Sequence, residues 1–447
     1  MTDLSALADA LLAAARAAGA DAADAMAVSD LSLSVEVRGG ALEHAERAEG
    51  VEIGLRVFVG QRGAVVSSSD TSAATVAGMA ERAVAMAREA PEDPWAGLAD
   101  PGQLARDLDA ARLELADPAP EPEPDSLMAL AQMAEAAALS VAGVTQAEGA
   151  AAGHGRRQVH RAASNGFSAG LVRTDSAISC GAIAGTGTGM ERDHDHDARI
   201  FAADLEAADR IGRNAGTRAV ARLGGRKPPT GRFPVLFDER ISGSITGHLL
   251  SAINGAAIAR GSSFLRDRLG RPVLPAHLSL LTEPHRRRAT GSRLHDAEGL
   301  PTAPRALVAD GVLQGWLLDL ASARKLGLTP TGDAARGPGD QPSPSAGNIR
   351  LQGGSGTRAD LLRDMGTGLL VTRLIGATIN PNTGDYSRGA SGFWVENGEI
   401  AWPVNECTIA GNLVGMFAGL VAADDARQHL SHVVPSLLID GLMIAGA

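Results

Sequence analysis

The chain has 447 residues, enough for two or three domains with cores of their own. Acids outnumber bases by 52 to 41, a formal charge of −11, and a field of that sign repels nucleic-acid backbones and anionic lipid. Two cysteines, Cys180 and Cys407, exclude a disulfide framework and a multi-cysteine zinc site, and they suit a reducing cytoplasm.

The N-terminal stretch has no basic segment and carries Asp3 and Asp9, so it does not read as a secretory signal. Leu4, Leu7, Leu11 and Leu12 recur at helical spacing, and Gly19 ends that helix. Alternation at Leu31, Leu33, Val35 and Val37, and again from Val51 to Val59, predicts two half-buried strands. "GQRG" then turns the second strand into a third, and a helix follows from about Thr71 with Asp70 as its cap. This is an N-terminal α+β unit, residues 1–100.

Residues 101–126 are rich in proline and acid and read as a connection. A middle α+β unit, residues 127–231, holds a helix over 127–139, several strands and a helix over 203–223. The remainder, 232–447, is a strand-rich C-terminal domain. Its Asp310-Gly311 and Asn397-Gly398 pairs predict type I′ hairpin turns. Residues 329–354, rich in Gly and Pro, read as a long mobile and exposed loop. The apolar run over 407–423 falls short of the roughly 20 residues a membrane span needs, and Asn412 interrupts it. It reads as buried core, and the whole chain as a soluble cytoplasmic α+β protein.

Motifs for chemistry are sparse. There is no Walker A pattern, and "GTGTGM" at 185–190 is followed by charge rather than a helix, so it reads as a turn. "ERDHDHD" at 191–197 sets His194 and His196 on one face of a strand, but charge runs are mostly solvated faces. Cys407 adjoins an apolar run with no histidine near it and reads as a buried, inert thiol. His44 lacks a second histidine at metallopeptidase spacing.

The strongest signal is a resemblance. "GGRKPPTGRFPVLFD" from Gly224, "TGDYSRGASGFWVENGEIAWPVNECTIAGN" from Thr383 and "GNLVGMF" from Gly411 look like the TldD/PmbA family. The PmbA (TldE) branch, historically labelled modulators of DNA gyrase, is the better match, and the likeness runs in order through nearly the whole chain. The resemblance implies a cytoplasmic zinc-dependent peptidase of two related subunits. The TldD branch carries His-Glu-x-x-x-His on a helix and a later cysteine ligand, and the PmbA branch completes a chamber in which unfolded peptides are cut.

Two imidazoles hold such a zinc while the carboxylate handles the proton of the attacking water. Five residues at about 100° each place the histidines some 140° apart, so the site needs convergent side chains. Laid over "GSITGH", the motif puts Gly243 at the first histidine, Ser244 at the glutamate and His248 at the second histidine. No cysteine follows Cys407. The resemblance thus implies a vestigial metal site with no catalytic residue and no metal in this chain. Zinc is expected in a TldD-type partner, and self-association as a homodimer is the other assembly weighed. Tyr386, Arg388 and Trp394 are candidate contacts to peptide or partner, although a well-packed hairpin explains them equally. Two rivals stand beside this reading. One is a self-sufficient metallopeptidase in which His285, His295, His429 or His432 joins His248. The other is a non-enzymatic regulator that binds gyrase or another protein.

Overall fold

The computed structural model describes residues 3–446, and its architecture is α+β as expected. Its first part comprises α1 (Leu4–Ala17), β1 (Ala22–Arg38), β2 (Ala41–Val59), β3 (Arg62–Ser68), α2 (Ala73–Glu89), α3 (Pro124–Leu139), β4 (Val144–Ala163), β5 (Ser168–Ala184), β6 (Glu191–Arg199) and α4 (Ala208–Ala221). The six strands make one sheet in the order β3-β2-β1-β4-β5-β6. Its central pairing, β1 with β4, runs from Asp24↔Ala163 to Val37↔Ala150, so the N-terminal and middle units each supply half of a shared sheet. Helices α1 and α2 bury Leu11 and Met79 with Ile53 on one half; α3 and α4 bury Ala131 and Ile211 with Val35 on the other.

Several boundaries differ from the sequence reading: β1 and β2 start at Ala22 and Ala41, well before the expected alternating runs, and two helix starts shift. The cap of α2 is Ser72, whose extended backbone aims its hydroxyl at the Thr75 amide; Asp70 accepts from the Ser72 amide at 2.9 Å and braces the cap. Helix α4 starts at Ala208 rather than 203, because Asp197 accepts from the Glu206 amide at 2.9 Å and holds the approach out of helix.

The C-terminal part begins with β7 (Gly231–Phe237) and α5 (Glu239–Ala252). β8 (Ser279–Thr282), β9 (Arg305–Ala309) and β10 (Val312–Leu313) follow, while β11 (Ala334–Ala335) and β12 (Ser343–Pro344) form a separate pair. After β13 (Ile349–Gln352) come the long strands β14 (Gly368–Ile379), β15 (Asp385–Glu396) and β16 (Glu399–Asn412), then β17 (Val421–Ala422), β18 (His432–Val433) and β19 (Leu437–Ala445). β8, β9 and β10 join the later β13 and β18 in a five-stranded sheet of order β10-β9-β8-β13-β18. Strands β16, β15, β14, β7 and β19 are neighbours in that order, and β16 pairs back onto β19 through Ile409↔Ile444. Five strands therefore close into a barrel with no open edge between them. Ile245 and Leu249 of α5 share its core with Val371, Ile409 and Leu442. Both predicted type I′ turns form: φ is positive at Asp310 (48°), Gly311 (78°), Asn397 (54°) and Gly398 (79°).

The segment 329–354 corrects an expectation, because much of it is packed rather than exposed. Ala334 and Ile349 are fully buried, and the Arg336 side chain is 2% exposed against Asp24 of β1. The segment crosses from the C-terminal domain onto the first sheet, and its glycines and alanines permit close backbone contact.

Candidate functional site

Helix α5 leaves β7 through Asp238, whose carboxylate accepts from the Arg240 amide at 3.2 Å and from Arg358 Nη1 at 2.6 Å. Ser242 and Thr246 are buried and small, which lets the helix approach its neighbours closely; the Ser242 hydroxyl donates to the Val434 carbonyl at 3.4 Å. The helix thereby turns Gly243 and Ser244 toward a cavity of about 720 Å³, walled by β6, β14 and β15.

The facing wall is "ERDHDHD". The run is only half solvated, which corrects its reading as a surface strand. His194 and His196 are exposed at the cavity with ring centroids 6.0 Å apart, whereas Asp195 and Asp197 are buried on the opposite face. Asp195 accepts from Arg218 and from Asn214, each at 2.7 Å; Asp197 accepts from Arg199 at 2.8 Å and lies 3.3 Å from His429 Nε2. Burial and the neighbouring His194 lower the pKa of His196, which favours its neutral form. Asp193 lies 3.3 Å from Arg240 and 3.7 Å from Arg222. Arg222 in turn donates to Ser391 of β15 at 2.8 Å, so one ion network holds the middle-domain strand against the barrel and sets the width of the cavity.

His248 lies a turn beyond Ser244 and lines a different cavity of about 190 Å³ with Phe264 and Ile379. Its ring meets Tyr386 edge to face at 5.7 Å. Its Nε2 is buried without a hydrogen-bond partner, and burial together with the Arg388 charge lowers its pKa, favouring neutral imidazole. Tyr386 and Trp394, expected to face peptide or partner, are 2% and 3% exposed. They are core residues: Trp394 packs on Phe233 at 5.0 Å and Trp402 at 5.8 Å. Burial pushes the Tyr386 phenol up to about 12. Arg388 does reach the larger cavity, where its Nε donates to the Gly376 carbonyl at 2.6 Å.

Zinc takes thiolate, imidazole and carboxylate ligands, four in a structural site and three plus water in a catalytic one. At the helix positions where the family motif falls, this chain offers no side chain, one hydroxyl and one imidazole directed elsewhere. His285 bonds Thr302 at 3.1 Å, His295 bonds the Asp296 carbonyl at 3.0 Å, and His429 pairs with Asp197. Among the described residues no three His, Cys, Asp or Glu side chains converge on a common metal position. The residues present do not fit a zinc site. Cys407 is buried, and its thiol donates to the Ala390 carbonyl at 3.2 Å. Burial pushes the thiol up to about 11, so at neutral pH it is not a thiolate nucleophile.

The sequence matches the PmbA/TldA metallopeptidase domain 1 over residues 23–87, the central domain over 117–223 and the C-terminal domain over 230–446. The Metalloprotease PmbA of Escherichia coli O157:H7 is 36% identical over 428 residues, covering 95% of this chain and 92% of that protein. The chain belongs to the PmbA/TldD metallopeptidase family. A PmbA homologue of Haemophilus influenzae is also 36% identical, across 96% of this chain and 93% of its own. A Bacteroides thetaiotaomicron protein named as a candidate modulator of DNA gyrase superposes with a TM-score of 0.90 at 26% identity, covering 99% of this chain and 98% of that one. TldE from Thermococcus kodakarensis shares the fold, with a TM-score of 0.83 at 18% identity over 98% of this chain and 100% of its own. Within this family fold, the contribution of β6 to the cavity is what sequence reasoning missed. The alternation of aspartate and histidine was its visible signal, since one parity had to be buried.

Proposed function

We propose that this chain is the metal-free, PmbA/TldE-type subunit of a cytoplasmic two-subunit peptidase whose zinc resides in a TldD-type partner. One observation carries the reading: at the cavity wall where the family motif falls, Gly243 and Ser244 provide no imidazole or carboxylate. At the motif positions, a hydroxyl and one separately oriented imidazole cannot hold zinc usefully, and no carboxylate stands at the motif's glutamate position, Ser244, to take a proton from water. The role left to the chain is structural. It walls the chamber, keeps the partner in its active arrangement and helps bind extended, unfolded peptide. Arg240 and Arg388 line the cavity and offer donors to peptide carbonyls and carboxylates.

Zinc content per chain, on untagged protein purified without chelator and without partner, tests this reading. The expected value is near zero, with cleavage of unfolded peptides appearing only when a TldD-type subunit is added. Stoichiometric zinc and cleavage by the chain alone would overturn it. Binding to the partner with no gain in proteolysis would favour a purely regulatory role instead.

A further inference from the structure

A second cavity, of about 450 Å³, lies where the first sheet meets the C-terminal domain, and it shares no lining residue with the cavity beside α5. Five arginines line it: Arg157, Arg161 and Arg173 from β4 and β5, and Arg293 and Arg336 from loops of the C-terminal domain. Asp296 is the one carboxylate in the wall. Its oxygens are already engaged, accepting from the backbone amides of Glu298, Leu300 and Ala334.

The arginines are unevenly satisfied. Arg157 lies 3.4 Å from Asp30, Arg336 pairs with Asp24, and Arg173 donates to the Thr290 carbonyl. Arg293 donates through Nη2 to the Ser345 carbonyl at 2.9 Å but, like Arg161, has no ion-pair partner among the described residues, and the Nε atoms of Arg161, Arg293 and Arg336 are buried with no hydrogen-bond acceptor. Arg161 is the extreme case: burial, then the like charges of Arg336 and Arg293, lower its pKa to about 10, with Asp296 opposing them only in part. Buried guanidinium groups without counter-charge cost several kcal/mol unless an anion completes them.

We infer that this inter-domain cavity binds a carboxylate-bearing ligand, held by the guanidinium fork of Arg161 with Arg293 and Arg336 opposite. A planar fork matches a carboxylate bidentately. Beside the polar Thr290, Ser292 and His295, the wall has an apolar part in Met26, Val159, Leu171 and Leu294, which leaves space for an organic body rather than a bare inorganic anion. Building on the peptidase reading, the occupant of that chemistry is the C-terminal end of a short peptide with small or aliphatic side chains. The cavity then holds one end of a substrate or a released product. Because both domains contribute arginines, occupancy also ties the first sheet to the C-terminal domain.

The test is isothermal titration of the intact chain, without partner and without zinc, against Ala-Ala-Leu, its C-terminal amide and inorganic phosphate. The free acid is expected to bind, and amidation to weaken binding roughly tenfold or more, the value of a lost charge-assisted hydrogen-bond pair. Arg161→Gln should weaken the acid to the same extent, and Arg161→Lys should fall between. Arg293→Gln, on a loop from the other domain, repeats the test if the β4 variant does not fold. Equal binding of acid and amide, no binding of either, phosphate binding without peptide, or full affinity in both arginine variants would overturn the assignment. Zinc content and partner-dependent proteolysis are read separately, so failure here leaves the proposed function standing, and the reverse.

Discussion

A side chain at Gly243 would meet nothing, since an added Cβ has no heavy atom within 4 Å. Packing therefore does not require glycine there, and the empty ligand position is not forced by the fold around it. Glycine inside a helix costs about 0.5–1 kcal/mol relative to alanine. Gly243→Ala should accordingly raise the unfolding free energy by up to about 1 kcal/mol, read as a higher urea midpoint at unchanged slope. A loss of stability would mean that the backbone of α5 needs glycine for a reason of its own. A second residue, Glu298, titrates unusually. Burial pushes its carboxyl up to about 8, opposed by Arg56 and reinforced by Asp296 and Asp319; Arg336 also faces it. Its folded pKa lies above the unfolded one, so its stabilising contribution is complete below about pH 4.5 and is lost as pH rises toward 8. Glu298→Gln keeps an acceptor for the Leu320 amide, now 2.8 Å from Oε2, and removes that titration. The variant should gain at least about 1 kcal/mol over the parent at pH 8 relative to pH 5. Parallel stability–pH curves for the two proteins would disprove the assignment.

At the scale of elements, the segment 329–354 shows what close backbone contact does. A Cβ on Gly54 of β2 would sit 2.0 Å from the Pro338 carbonyl oxygen, so the strand needs glycine for this crossing segment to lie flat on it. Gly54→Ala should cost roughly 1–3 kcal/mol, the usual range for overpacking. It should also expose the chain near Arg336 to trypsin; an unchanged melting temperature and cleavage pattern would refute the contact. A hint was present in the sequence, because a glycine inside the alternating run Val51–Val59 marks a close approach. Helices α1 and α3 and both type I′ turns were legible because their determinants are local: apolar spacing, and residue pairs tolerant of positive φ. The outer part of β2 was not, since residues 41–50 are exposed and show no alternation. Similarly, Glu135 of α3 accepts from the amides of Gly39 and Gly40 at 2.7 Å each, a pairing across nearly a hundred residues that no local pattern announces. The helix positions 243–248 were found through family resemblance. Their separation onto two cavities, and the burial of Tyr386 and Trp394, depend on tertiary contacts.

For the whole molecule, the decisive contrast is between a shared sheet and a closed barrel. Cutting the chain after residue 126 would remove β4 from β1 and strip α3 from Leu33, Val35 and Val37, which are buried in the intact protein. That leaves a long unpaired edge beside exposed aliphatic side chains, the arrangement that favours aggregation. Residues 1–226 keep all six strands and four helices, so their sheet stays paired. Residues 230–446 keep β7, β14, β15, β16 and β19, closed through the β16–β19 pairing, together with the core around Ile245 and Leu249. Separating the fragments breaks many ties, among them Arg222–Ser391, Asp24–Arg336, Arg288 with Glu114 and Asp204, and the apolar cluster of Leu113, Ile200 and Leu294, so each fragment loses stability while keeping its own strand pairing. Fragments 1–226 and 230–446 should each be monomeric and melt cooperatively by far-ultraviolet circular dichroism, both less stable than the intact chain. Fragment 1–126 should elute as aggregate or melt without a transition. A monomeric, cooperatively folding 1–126 would mean that the β1–β4 pairing joins two finished domains instead of completing one.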